Sequence, residues 1–254
     1  MGWLSFDLDG TLADWPFRRV VRPWLEPFLA QPEVRRALRE EYLRRLAQGS
    51  PAAFDWGDIQ RTVAQRLDLK QPFPDLERLL GEVELHPSLL YPEVLSAVRA
   101  LRALGYRIAV ATNGLARYQR VLLDRLGLPY DRLLAPDLTQ TIKPNPSFWS
   151  SLDGAAALLV HVGDLLSQDV WGAQQAGILA VWVWREMPPD WRRTPPAERA
   201  RRPDVEEVVA AQLRIELEEH GLAPHLRPQG LPRPDYVVAD LGELVGLLEM
   251  GVGA

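Results

Sequence analysis

From residue 90 onward the sequence alternates short, nearly continuous apolar runs with amphipathic stretches that stop at glycine. Few architectures accept that pattern. "RIAVAT" (Arg107–Thr112), "ALLVHV" (Ala157–Val162) and "LAVWVW" (Leu179–Trp184) are apolar on both faces of an extended chain. Such strands must be covered on both sides, as in a parallel sheet held between two layers of helices. Helices are expected over Glu93–Leu104, over Ala116–Leu126 and from the end of "ALLVHV" to Ala176, closed by Gly105, Gly127 and Gly177. "WLSF" (Trp3–Phe6) reads as a further buried strand, and "DYVVADLGELVGLL" as a last short strand with a closing helix. The expected fold class is therefore α/β.

Two segments break the alternation. Residues 15–87 read as short helices separated by prolines, an all-helical unit of their own. The clearest is Glu33–Gln48, with Val34, Ala37, Leu38, Tyr42 and Leu46 on one face. A second begins near Asp58 and a third follows Pro74. The expected organisation is a core of residues 1–14 and 88–254 and a helical unit of residues 15–87. Within the core, 186–234 is an insertion. Nine of the 22 prolines fall between Arg185 and Asp235, too many for a compact strand-to-helix connection. The insertion carries one good helix, begun by Asp204 with Glu207 as a capping box and ended near Gly221. Its stripe of Val205, Val208, Val209, Leu213 and Leu217 has to dock on something. Because the insertion leaves the carboxyl end of a strand, it is expected to form a second lid or an interface. If copies of the chain associate as a homo-oligomer, the insertion and the helical unit are the surfaces expected to meet.

Composition excludes several classes. A net charge of −5 argues against nucleic acid as the main partner, since phosphate backbones need a basic face. A small phosphorylated metabolite held by a few local cations stays open. No apolar stretch approaches the ~20 residues of a membrane helix, and the N-terminus does not read as a signal peptide. With no cysteine, disulfides and thiolate chemistry are ruled out, and a cytoplasmic location is expected. Lys70 and Lys143 are the only lysines among 29 basic residues. Each is a candidate for a task that a compact point charge performs and arginine does not.

The chemistry-bearing residues fall at strand ends. "DLDGT" (Asp7–Thr11) follows the first strand and "ATNG" (Ala111–Gly114) the second; Lys143 lies in the loop "TIKPNPSFW", and "GDLLSQD" (Gly163–Asp169) follows "ALLVHV". Ligands of open α/β sheets bind in the crevice beyond the carboxyl ends of the strands, so these four segments can meet in one cleft. Crowded carboxylates repel one another unless a cation sits among them. Hard oxygen ligands suit Mg2+, which completes its shell with water and substrate phosphate. Asp7 and Asp9, two residues apart, point the same way on an extended chain. They can divide labour, one ionised as nucleophile and one protonated as acid. A metal and Lys143 would keep Asp7 ionised.

In this order, "DLDGTL", "ATNG", "KP" and "VGDLLSQD" resemble the four motifs of the haloacid dehalogenase superfamily. The resemblance covers residues 3–12 and 90–184 and the final strand and helix. It implies a Rossmann-like core with a small helical cap over 15–87, Mg2+ as cofactor, and hydrolysis of a small phosphate monoester through an aspartyl-phosphate on Asp7. It implies that Asp9 protonates the leaving alcohol and then activates water, its backbone carbonyl helping to hold Mg2+. Thr112, with backbone amides around Leu8 and Asn113, would bind the phosphoryl oxygens. Lys143 would neutralise nucleophile and phosphoryl group. Asp164 would bind Mg2+, and Asp169 would support the metal or orient Lys143. Leu165 departs from the serine that many members have after "GD". Trp15, Arg18 and Arg19 follow the first motif and are candidates for substrate selection, with cap packing and a solvated helix face as the plain alternative.

Rival readings remain on the same motifs. A phosphomutase shares them. A dehalogenase would not need an acid at Asp9, and a phosphonatase-like member would need a cap lysine, whereas Lys70 lies far from the first motif. A catalytically silent binding protein of this fold would have no reason to keep every charged group. His86, His161, His220 and His225 are unclustered and read as structural, with His161 a strand residue packed near the cleft. Trp171, Trp182 and Trp184 read as packing.

Overall fold

The apolar runs become strands wherever both of their faces can be covered. In the structure, a computed structural model describing residues 2–152, 158–220 and 222–251, six strands form one sheet. They are β1 (Trp3–Phe6), β2 (Arg107–Ala111), β3 (Arg132–Leu134), β4 (Leu158–Gly163), β5 (Leu179–Val183) and β6 (Tyr236–Val238). All pairs are parallel, in the order β3-β2-β1-β4-β5-β6. The chain steps outward from β1 to β3, then restarts at β4 on the other side of β1. That reversal opens a crevice at the carboxyl ends of β1 and β4.

Side-chain alternation divides the core in two. Leu4, Phe6, Ile108, Val110, Val160 and Val162 face one layer, against α5 (Val94–Ala103) and the closing helix Leu241–Glu249. Trp3, Ala109, Ala111, Ala180 and Trp182 face the other, against Phe148, Trp149, Val170 and Ala173. The insertion completes this second layer. Met187, Trp191 and Val209 are buried in it, with Val205, Val208 and Leu213 packed against it. The docking partner of the apolar stripe is therefore the sheet core itself. Leu217 lies in a surface groove with Leu213 and Leu231. At the start of this helix (Val205–His220), the Asp204 carboxylate accepts two bonds of 2.9 Å from the Arg202 guanidinium.

Between β1 and β2 come α1 (Pro16–Leu29), α2 (Pro32–Leu46), α3 (Trp56–Arg66) and α4 (Leu76–Glu82). Asp55 and Asp75 cap the last two through their side chains. Phe28, Val34, Ala37, Leu38, Ile59 and Val63 form a small core within this segment. Val20, Val21, Leu76, Leu79 and Leu80 instead pack on Leu115, Tyr118 and Leu122, beside and within α6 (Ala116–Arg125).

Most expected elements lie within two residues of their observed bounds. Besides short helical turns such as Pro136–Thr139, Pro189–Arg193 and Pro196–Arg199, two elements near the sheet and site are additional to those read from sequence. One is the edge strand β3, whose three residues are too few to show any periodicity. The other is α1, which contains Pro23 and Pro27, residues that remove helical hydrogen bonds and hide the pattern. Ala157 and Gly221, the expected start of one strand and stop of one helix, lie outside the described residues. Among those described, no helix is long and apolar enough to cross a membrane.

Candidate active site

β1 stops at Phe6, and the next residue, Asp7, donates its N–H to the carbonyl of Val162 at 2.8 Å, which sets it beside the end of β4. The chain then doubles back. Ala13 N–H bonds Leu8 at 2.8 Å, Asp14 N–H bonds Leu89 at 2.8 Å, and Tyr91 N–H bonds Leu12 at 3.2 Å. Gly10, at φ +82°, makes the turn, and a Cβ there would overlap the Asp164 carboxylate. Gly163 likewise lies flat on the side chain of Asp169. These two glycines let the first and last motifs close on each other.

Lys143 is 2% exposed, and its Nζ donates to Asp7 Oδ1 and to Asp169 Oδ1, both at 2.6 Å. A buried ammonium needs such partners. Asn113 fixes where the lysine stands: its Oδ1 accepts from the Lys143 backbone N–H at 2.8 Å and its Nδ2 donates to the Lys143 carbonyl at 3.2 Å. Thr112 Oγ1 accepts from Gly114 N–H at 3.0 Å. Asp169 also accepts from His161 Nε2 at 3.1 Å and from Leu165 N–H at 3.0 Å, so both its oxygens are engaged by protein donors. Asp164 Oδ1 accepts from Thr11 at 3.3 Å. One oxygen each from Asp7, Asp164 and Asp169 lies within 4.8 Å of the others. The Asp9 side chain is not in that group and is half-buried.

Charge in this cleft is unevenly shared. Burial pushes the Asp7 carboxyl up to about 8, with Lys143 pulling against it and Asp169 and Asp9 adding repulsion. Burial likewise lifts Asp9 to about 6, opposed by Lys143. Burial, then repulsion from Asp7 and Asp169, raises Asp164 well above the usual carboxylate range. Asp169 goes the other way: against burial, Lys143 and the His161 hydrogen bond bring it down to about 2. Lys143 is raised, because Asp169 and Asp7 outweigh its own burial. One lysine thus faces more carboxylate than it can neutralise.

Sequence reasoning placed His161 near the cleft without a role there, and missed Arg185 and Glu216. Burial lowers the pKa of His161. Since ionised Asp169 can only accept, Nε2 of the neutral ring carries the proton and Nδ1 accepts from the Ser5 hydroxyl at 3.0 Å. The signal was the polar pair Ser5 and His161 inside apolar strands. Arg185 braces the first-motif loop: Nε donates to the Gly10 carbonyl at 3.1 Å, Nη2 to that of Thr11, and Nη1 to Glu93 at 2.9 Å. Its guanidinium stacks 3.4 Å from the Tyr91 ring centre. Glu216, on the insertion helix, accepts from Ser167 between the two aspartates of the last motif. Its signal was a carboxylate three residues from Leu213 on a face committed to packing. Trp15, Arg18 and Arg19 come together in a groove of about 770 Å3 at the start of α1, with Asp14, which pairs with Arg19.

A family model described as haloacid dehalogenase-like hydrolase matches residues 3–177. The chain is 31% identical over 192 residues to the probable phosphatase IndB of Dickeya dadantii, covering 70% of this chain and 79% of that protein. A HAD phosphatase from Thermococcus onnurineus superposes with a TM-score of 0.61 at 26% identity, over 98% of each chain. The L-2-haloacid dehalogenase of Xanthobacter autotrophicus shares the fold, with a TM-score of 0.58 at 18% identity over 98% of each chain.

Proposed function

Because the chain belongs to the haloacid dehalogenase-like hydrolase family, we propose that it is a Mg2+-dependent phosphatase that hydrolyses a small phosphate monoester through an aspartyl-phosphate on Asp7. The observation that carries this reading is the buried Lys143 Nζ bridging Asp7 and Asp169 beside Asp164. Asp9 decides between phosphate and halide. Displacing a halide needs no acid, whereas an alkoxide leaves readily only when protonated, and a carboxyl held near 6 is suited to give and retake a proton.

The donor set fits a hard divalent cation. Burial first, and then repulsion among the carboxylates, raises the pKa values of Asp7 and Asp164, and their oxygens lie close enough to share an ion. Asp7 and Asp164 would hold it, with the Asp9 carbonyl, while Asp169, occupied by Lys143, His161 and Leu165, stands behind them. When bound, such a cation supplies charge that keeps Asp7 ionised and draws electron density from the phosphoryl oxygens. Asp7 attacks phosphorus, and its O–P bond forms as the ester P–O bond breaks. Asp9 gives its proton to the departing alkoxide. The Asp9 carboxylate then takes a proton from water, whose oxygen attacks the same phosphorus, freeing inorganic phosphate and Asp7. Lys143 offsets charge on Asp7 and the phosphoryl group, Thr112 and the amides near Asn113 orient its oxygens, and the helical segment 15–87 serves as the cap. Trp15, Arg18 and Arg19 would meet the leaving group from that cap.

A panel of phosphorylated metabolites, assayed for phosphate release with and without Mg2+ beside Asp7→Asn, tests the proposal. Release that needs both Mg2+ and Asp7 is expected. Absence of release from every substrate, or full activity in Asp7→Asn, would overturn it.

A further inference from the structure

The helix Val205–His220 passes close to the acidic cluster, and one residue on its packed face is of the wrong kind for packing. Val209 and Leu213 dock on the sheet core. Glu216, seven and three residues further on, falls on the same side, and is only 7% exposed. Its carboxylate accepts from the Ser167 backbone N–H at 3.0 Å and from the Ser167 hydroxyl. Ser167 belongs to the π-helical turn Leu166–Val170, between Asp164 and Asp169. From the other side, Leu165 N–H bonds Asp169 Oδ2 at 3.0 Å and Asp169 N–H bonds the Leu165 carbonyl at 2.8 Å.

A leucine at 216 would pack against the core without the penalty of a desolvated acid. Repulsion from Asp169 adds to that penalty. What the acid supplies is a partner for two donors of Ser167, which is 1% exposed and out of reach of water. The turn that carries Asp169 and follows Asp164 is thus held on one side by the Leu165–Asp169 bonds and on the other by the insertion.

We infer that Glu216 is a positioning residue of the active site: from the insertion it holds the turn that carries Asp169 and directly follows Asp164, and through that turn it sets how tightly the acidic cluster takes a divalent cation. The inference rests on the metal-dependent reading above. It gives the insertion a task inside the site rather than over its mouth.

Mn2+ titrations of the full chain, followed by the paramagnetic signal of the free ion, test this. Wild type is expected to bind, and Glu216→Ala to bind about tenfold more weakly, the usual scale for losing support behind a metal ligand. Glu216→Gln, whose amide oxygen accepts from the same donors, is expected to stay within about twofold of wild type. Ser167→Ala leaves helix packing intact and should weaken binding severalfold; combined with Glu216→Ala it should add less than the two losses multiplied. If Glu216→Ala does not fold, Ser167→Ala and Glu216→Gln carry the test. Wild-type affinity in Glu216→Ala or in Ser167→Ala, a Gln variant well below wild type, or fully multiplying losses would overturn the inference. Failure of the wild type itself to bind would overturn the metal reading and this inference with it, so the two failures are distinct.

Discussion

Lys143 Nζ stands 2.6 Å from Asp7 Oδ1, with the two side chains 2% and 9% exposed, so neither charge can turn to water when the other is removed. The lysine also holds Asp169 at 2.6 Å. Lys143→Met therefore leaves two buried carboxylates without a counter-charge, a change that typically destabilises by about 3–5 kcal/mol. The Asp7 carboxyl, already raised to about 8, loses the one influence that lowers it. Turnover is expected to fall by a factor on the order of a thousand. Lys143→Arg keeps the charge but puts a planar fork where a point charge fits, and should lose on the order of a hundredfold in kcat. Urea midpoints and kcat, measured together, check both; an Arg variant with wild-type turnover would contradict the geometry.

Gly10 permits the contact between the first and last motifs. At φ +82°, with the Asp164 carboxylate where a Cβ would stand, alanine is strained and collides at once. Gly10→Ala is expected to destabilise by about 1–2 kcal/mol through the backbone. It should also push Asp164 away, weakening Mn2+ binding by more than stability alone explains. Gly127, also at positive φ but with open space around it, is the control: Gly127→Ala should show the stability loss without the binding loss.

The sites that sequence revealed and those it hid differ in a physical way. Asp7, Asp9, Thr112, Asn113 and Asp164 were legible because polar groups at the ends of apolar strands violate the pattern around them, Lys143 because it is one of two lysines, and Asp169 because it completes the last motif. The structure joins Lys143 to Asp7 and Asp169, brings an Asp164 oxygen within 4.8 Å of theirs, and uses Asn113 to hold the lysine backbone. Ser5 and His161 sat one level deeper: each breaks an apolar strand, but only pairing β1 with β4 shows that they meet. Arg185 and Glu216 were hidden by distance, since their partners lie 175 and 49 residues away. β3 and α1 were hidden by shortness and by internal prolines. The insertion was legible as an insertion, and its packed face as a stripe, but the docking surface needed the sheet.

Arg185 is expected to matter out of proportion to its distance from the chemistry. It ties the carbonyls of Gly10 and Thr11 to Glu93, and so holds the loop that carries Asp9. Arg185→Lys retains the charge but cannot reach three acceptors or stack on Tyr91. A loss of about tenfold in kcat with little change in KM is expected, because loose aim at Asp9 affects the transition state more than the bound substrate. An unchanged kcat would show that the loop holds its shape without the brace.

Glu41 links pH to the stability of the helical segment. Its carboxylate accepts from Arg44 at 2.6 and 3.0 Å and from Arg45 at 2.8 Å, and Arg45 reaches on to Asp58 and Thr62 of α3. The Arg44 hydrogen bond, against burial and with help from Arg45, brings Glu41 down to about 2 from an ordinary 4.5. Between those values the unfolded chain binds the proton and the folded one does not, so stability rises with pH through that window. The contribution is complete above it and lost as pH falls toward 2. At face value the shift corresponds to about 3 kcal/mol, and to about 2 kcal/mol once solvent screening of the largely exposed Arg44 is allowed for. Glu41→Gln should therefore unfold at lower urea than wild type at neutral pH. The gap should hold down to about pH 5 and close progressively below it. A gap of constant size from neutral pH to the acid limit would mean that the side chain stabilises α2 and α3 by packing and not by charge.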